Sequence, residues 1–107
     1  MRTVKGEEDV MENTTKTRVI KRNGEEVSFD LTKIVNAIRK ANQEVDQLHR
    51  MNEYQIIAIA EKIAQQAESA MHAVNVEDIQ DMVETGIMEM RGYEVAQKYV
   101  RYRYKRE

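Results

Sequence analysis

Lys21 and Arg22 stand side by side immediately before Asn23-Gly24, and Lys33 follows three residues after Asp30. An ammonium and a guanidinium at one chain reversal are donors without acceptor atoms, suited to holding the oxygens of a phosphate chain. A second basic group closes the chain, formed by Lys98, Arg101, Arg103, Lys105 and Arg106. Lys33 stands out for a different reason: in the first turn of a helix a cation meets the positive end of the macrodipole, and a bound anion would remove that penalty. Taken singly, each cation reads as a solvated surface group and Asp30 as a plain helix cap. Brought together, they would make a local anion pocket.

Other chemistries lack their residues. The chain has no cysteine, which removes disulfides, zinc ribbons, thiol nucleophiles and thiyl radicals. His49 and His72 fall in connections without metal-ligand spacing, and no carboxylate sits in the apolar surroundings that tune a general acid. The expectation is therefore binding without catalysis. A formal net charge of −2 argues against a duplex nucleic-acid binder, which needs a broadly basic surface.

For the cations to meet, a hairpin must carry the first pair and a helix the last group. Asn23-Gly24 predicts a two-residue type I′ turn that pairs Ile20 with Val27 and Val19 with Ser28. In that register Ile20, Val27 and Phe29 face the core, while Val19 and Lys21 share the outer face, an apolar contact beside an ammonium. Asp30 then caps a helix over 31–45, whose apolar stripe is Leu31, Ile34, Val35, Ile38, Ala41 and Val45. After a polar break over 46–50, Asn52 opens a second helix that runs to about Ala70. Residues 71–74 are a candidate third strand, because an isolated hairpin is marginal. Asn75 and Asp78 form a capping-box pattern for a third helix over 76–90, in which Gly86 suits close helix packing. Gly92 breaks the pattern, and a last helix over 93–105 turns Val95, Ala96, Tyr99 and Tyr102 inward. Lys98, Arg101 and Lys105 form its cationic stripe. The methionines read as packing residues. The fold class is α+β, an N-terminal β-hairpin with a short third strand packed on a four-helix bundle.

A chain of 107 residues suits one domain with one core. Residues 1–16 show neither period and are expected to be a flexible extension before a domain over 17–107. No apolar run has the length of a membrane span or forms a signal-peptide core, so the expected compartment is the cytoplasm.

Three ordered motifs carry a family resemblance. The run V-I-K-R-N-G-x-x-x-x-F-D-x-x-K-I from Val19 to Ile34 resembles the opening of the ATP-cone, a regulatory nucleotide-binding module of ribonucleotide reductases that also occurs in a repressor of reductase genes. N-V-E-D-I-Q-D-M-V-E from Asn75 to Glu84 and V-A-x-x-Y-V-x-Y-R-Y from Val95 to Tyr104 are most similar to the anaerobic, glycyl-radical class. The resemblance spans residues 17–106. It implies that ATP or dATP, with Mg2+, lies between hairpin and helices: Val19 touches the base region, Lys21 and Arg22 hold phosphates, and Asp30 bonds adenine or ribose. Lys33 and a basic residue late in the last helix also reach phosphate. Lys105 is the best match there, with Arg103 or Arg106 as alternatives. Two positions depart from the pattern. Val27 stands where some aerobic relatives have a carboxylate, and Val76 where some have a hydroxyl that assists phosphate binding, which puts the ATP-against-dATP preference in question.

The resemblance implies a regulatory domain that controls overall reductase activity. Its partners would be adenine nucleotides and the catalytic domain, with a nucleotide-dependent homo-oligomer. The chain, lacking cysteines, reads as the regulatory module alone. A nucleotide-sensing transcription-regulator module is an alternative that the absence of a zinc ribbon opposes. A degenerate cone that uses its basic stripe to bind an acidic protein is a third.

Overall fold

The computed structural model describes residues 17–105. The expected N-terminal extension over 1–16, and Arg106, lie outside the described residues. Strands β1 (Arg18–Ile20) and β2 (Glu26–Ser28) lead into α1 (Leu31–Gln43); α2 (Glu53–Ser69), β3 (Val74–Asn75), α3 (Val76–Glu89) and α4 (Tyr93–Lys105) follow. The sheet order is β2-β1-β3, with β2 antiparallel and β3 parallel to β1. The third strand thus forms, one residue C-terminal to the expected segment at its end, and the α+β architecture of hairpin plus four helices stands.

The hairpin register differs from the expected one by a residue. Val19 pairs with Val27 and Ile20 with Glu26. The reversal is a three-residue loop: Gly24 N–H donates to Lys21 O and Lys21 N–H to Glu25 O, each at 2.8 Å. Within this loop only Gly24, at φ +90°, takes a left-handed conformation. A type I′ turn would demand the same of Asn23, whose side chain instead accepts the Glu25 N–H at 2.9 Å, fixing a type I turn followed by a glycine bulge. A slip of one residue exchanges the faces. Val19 therefore points inward at 7% exposure, aligned with Val27 and with Val74 of β3, and Ile20 leaves the core face half-buried.

Each helix start has its own cause. Asp30 Oδ1 accepts the Thr32 N–H at 3.0 Å at the head of α1. Asn52 and Gln55 form a reciprocal capping box at α2, satisfying two donors that a helix start leaves open. At α3 the expected capping box is not made, because Asn75 is a strand residue aligned with Ile20 and its side chain makes no cap bond. Helix α1 stops at Gln43, two residues short of expectation, while Val45 stays buried beyond its end. The Asn42 amide holds the next connection by bonding both N–H and O of Met51, at 2.8 and 3.0 Å.

The core lies along the bundle axis, with Ile38, Ile56, Ile63, Val83, Ile87 and Val95 among its most buried side chains. Phe29 closes it from the hairpin at 2% exposure. A Cβ on Gly86 would come within 2.8 Å of Ile59 Cγ2, so the close approach of α2 and α3 requires a residue without a side chain. No helix among the described residues is long and apolar enough to cross a membrane.

Candidate functional site

The hairpin tip meets the end of α4. Arg22 Nη2 donates to the backbone O of Arg103 at 3.4 Å, two residues before Lys105, and to Gln80 Oε1 of α3 at 3.1 Å. Its Nε donates to Glu77 Oε2 at 2.6 Å. One guanidinium therefore ties the reversal of the sheet to the first turns of α3 and the last turn of α4. Lys21, beside it, is half-exposed and pairs with Glu25 at 3.6 Å.

Asp30 and Lys33 open α1, both exposed, with Lys33 N–H donating to Asp30 O at 3.1 Å. Phe29 N–H donates to Thr17 O at 3.0 Å, so α1 starts at the open end of the hairpin. Three strand residues, about 10 Å, separate that end from the tip. Lys105 is exposed at the end of α4. The structure thus brings Arg22 directly to α3 and α4, puts Lys21 beside it at the hairpin tip and Lys105 at the end of α4, and leaves Asp30 and Lys33 at the head of α1. Val19, expected to touch the base from the outer face, lies in the core. The register that removed it from the surface is set by the glycine bulge.

Arg103, an alternative to Lys105 in the sequence, is committed elsewhere. At 6% exposure its guanidinium donates to Asp81 at 3.0 Å, Glu84 at 2.8 Å and Glu77 at 3.0 Å. Its Nε is buried without an acceptor among the described residues. Burial opposes its charge, yet the hydrogen bonds with Asp81 and Glu77 and the field of Glu84 raise its pKa on balance. Hydrogen bonds, first from Arg22 and then from Arg103, hold the Glu77 carboxyl below the usual carboxylate range. These acidic partners went unassigned in the sequence. A signal was present: Glu77, Asp81 and Glu84 repeat at i, i+4, i+7, on one face of a helix, and Arg103 follows Tyr99 by four along the buried side of α4.

A separate charged group lies nine residues, about 13 Å of helix rise, from Arg103 along α4. One ligand atom from each of Asp46, His49 and Glu94 lies within 4.8 Å of the others, all on exposed residues. The imidazole is 2.8 Å from Asp46 and 3.5 Å from Glu94, which makes it, when protonated, an ion-pair bridge between the α1–α2 connection and the start of α4.

Comparison with known proteins places the whole described domain. The family model for the ATP cone domain matches residues 17–107. The chain is also similar to the anaerobic ribonucleoside-triphosphate reductase of Haemophilus influenzae, 31% identical over 90 residues that cover 83% of this chain and 12% of that protein. The chain therefore spans about an eighth of the length of this relative.

Proposed function

The chain belongs to the ATP-cone family, and from that premise we propose that it binds ATP or dATP at the cationic junction and serves as the allosteric regulatory domain of an anaerobic ribonucleotide reductase. The observation that carries the reading is the contact of Arg22 with Arg103 O, which sets the hairpin cations and the basic end of α4 at one end of the bundle. Lys21 and Arg22 take the phosphates, Lys33 and Lys105 add positive charge at the rim, and Asp30 offers an acceptor to adenine or ribose. Val19 supports the strand from beneath.

The carboxylates nearby fit a magnesium ion brought in by the triphosphate better than one held by the protein. Glu77 is committed to two arginines and Asp30 to the α1 cap, whereas magnesium with a nucleotide is commonly held by phosphate oxygens and water. The ion would offset phosphate charge.

Regulation then needs little free energy. ATP and dATP differ by one hydroxyl, and a coupling of about 1–3 kcal/mol between this site and a catalytic partner is the usual scale of allosteric control. The catalytic domain, a nucleotide-dependent homo-oligomer and a cytoplasmic setting belong to the same reading. Calorimetric titration with ATP and dATP tests it. Saturable binding is expected for the native chain, and loss of binding for Lys21→Ala/Arg22→Ala with the helical circular dichroism retained. Unchanged affinity in the double variant would overturn the assignment of these cations.

A further inference from the structure

We propose that Glu77 is an internal counter-anion of the phosphate site, holding Arg22 in the free domain and passing to Arg103 when phosphate arrives. The proposal rests on the nucleotide reading above and adds the regulation of that site.

Glu77 spans two guanidinium groups from different elements. Its Oε2 accepts from Arg22 Nε at 2.6 Å and its Oε1 from Arg103 Nη2 at 3.0 Å. Arginine forks offer phosphate oxygens the same parallel donors, so the carboxylate already fills an edge of Arg22 that an incoming phosphate would use. Two anions on one edge repel. The first turn of α3 also favours a negative charge, which helps keep Glu77 at its post in the free domain.

Burial decides which arginine yields. Glu77 is half-exposed and the Arg22 side chain 34% exposed, whereas Arg103 is 6% exposed. An anion from solvent reaches Arg22 and not Arg103. The unsatisfied Nε of Arg103 gives the displaced carboxylate somewhere to go. Nε and Nη2 form one edge of a guanidinium, and Glu77 Oε1 already sits on Nη2. Rotation of the carboxylate away from Arg22 can bring Oε2 to Nε and complete a two-bond fork on Arg103. The exchange replaces a shared carboxylate by two separate pairs, phosphate with Arg22 and Glu77 with Arg103. It also satisfies a buried donor whose unmet state is costly. Arg103 is thus a positioning residue: it touches no nucleotide, yet it retains Glu77 and carries the change into α4.

The experiment titrates the full chain with magnesium ATP and, separately, with inorganic tripolyphosphate, which has the phosphates but no adenine. Glu77→Gln is expected to bind both about two- to fivefold more tightly, the scale of one exposed ion pair. Asp81→Asn removes the same charge from Arg103 alone, and its affinity is expected to stay within about twofold of the native value. In an Arg22→Gln background, Glu77→Gln should gain nothing. Nitrogen-15 spectra of the native chain should show the Arg103 Nε–H moving downfield on ATP addition, a readout that needs no variant to fold. If ATP binds the native chain but Glu77→Gln gains nothing, or Asp81→Asn gains as much, the counter-anion role is overturned and the nucleotide reading survives. A static Arg103 resonance under saturating ATP overturns the exchange. If neither ligand binds any variant, the nucleotide reading falls and this proposal with it.

Discussion

His49 shows what one side chain contributes outside the cationic junction. Its ring nitrogen faces Asp46 and Glu94, and the hydrogen bond with Asp46 leads the causes that raise its pKa above the ordinary imidazole value. A raised folded-state value means that the folded chain binds the proton more tightly than the unfolded one. The stabilisation is therefore complete below the ordinary value of about 6.5 and is lost as pH rises through the higher folded value. Thermal unfolding followed at pH 6 and pH 8 should show the native chain losing stability over that interval and His49→Ala losing less. Glu77 has the opposite sign. Its carboxyl is held low by Arg22 and Arg103, so its contribution is present above the ordinary carboxylate value and disappears as pH falls through the depressed one. Spacing in the sequence marked Lys21, Arg22 and Lys33 as candidate phosphate donors, since type and position alone define a donor. It could not mark Arg103 as buried or Glu77 as shared, because both follow from which face of α4 meets α3.

At the scale of elements, α3 holds two positions where helix propensity alone misleads. Gly86 is unfavourable inside a helix by roughly 1 kcal/mol against alanine, yet Gly86→Ala is expected to destabilise. Its Cβ would lie 2.8 Å from Ile59 Cγ2, on a β-branched side chain with little freedom to turn aside. Overpacking costs about 1–3 kcal/mol, so a net loss of about 1 kcal/mol should appear in urea denaturation. Just past the C-terminus of α3, Arg91 occupies the left-handed position at φ 64° and closes the helix, with Arg91 N–H on Met88 O and Gly92 N–H on Ile87 O. This bond pair ends a helix most comfortably with glycine at the position Arg91 holds. Arg91→Gly should therefore stabilise by about 0.5 kcal/mol, the relief of left-handed strain less the added freedom of the unfolded chain. Gly92, one residue on, is kept small by contact: a Cβ there would meet Met51 Sδ at 2.9 Å. The sequence marked this helix end through Gly92, but the position of the left-handed residue depended on how the α3–α4 turn packs over Met51.

Across the molecule, the cation at Arg103 ties α4 to α3 at the end of the bundle that also receives the hairpin. Arg103→Met keeps much of the side-chain volume but leaves Glu77, Asp81 and Glu84 without their shared cation. Breaking a fully buried pair costs about 3–5 kcal/mol. Two of these carboxylates are more than half exposed, at 53% and 67%, and water can take them back, so a loss of about 2 kcal/mol is expected in chemical denaturation. The sequence by itself determined the order of strands and helices, the apolar stripes, the caps at Asp30 and Asn52 and the family motifs, because each depends on spacing within about two turns of chain. The inward turn of Val19 came from the local glycine-bulge turn, whereas tertiary structure decided the loss of the Asn75 cap to the sheet and the capture of Arg22 by Glu77. Those outcomes depend on partners such as Glu77, 55 positions from Arg22 along the chain, and no local pattern encodes which of many carboxylates a guanidinium will meet.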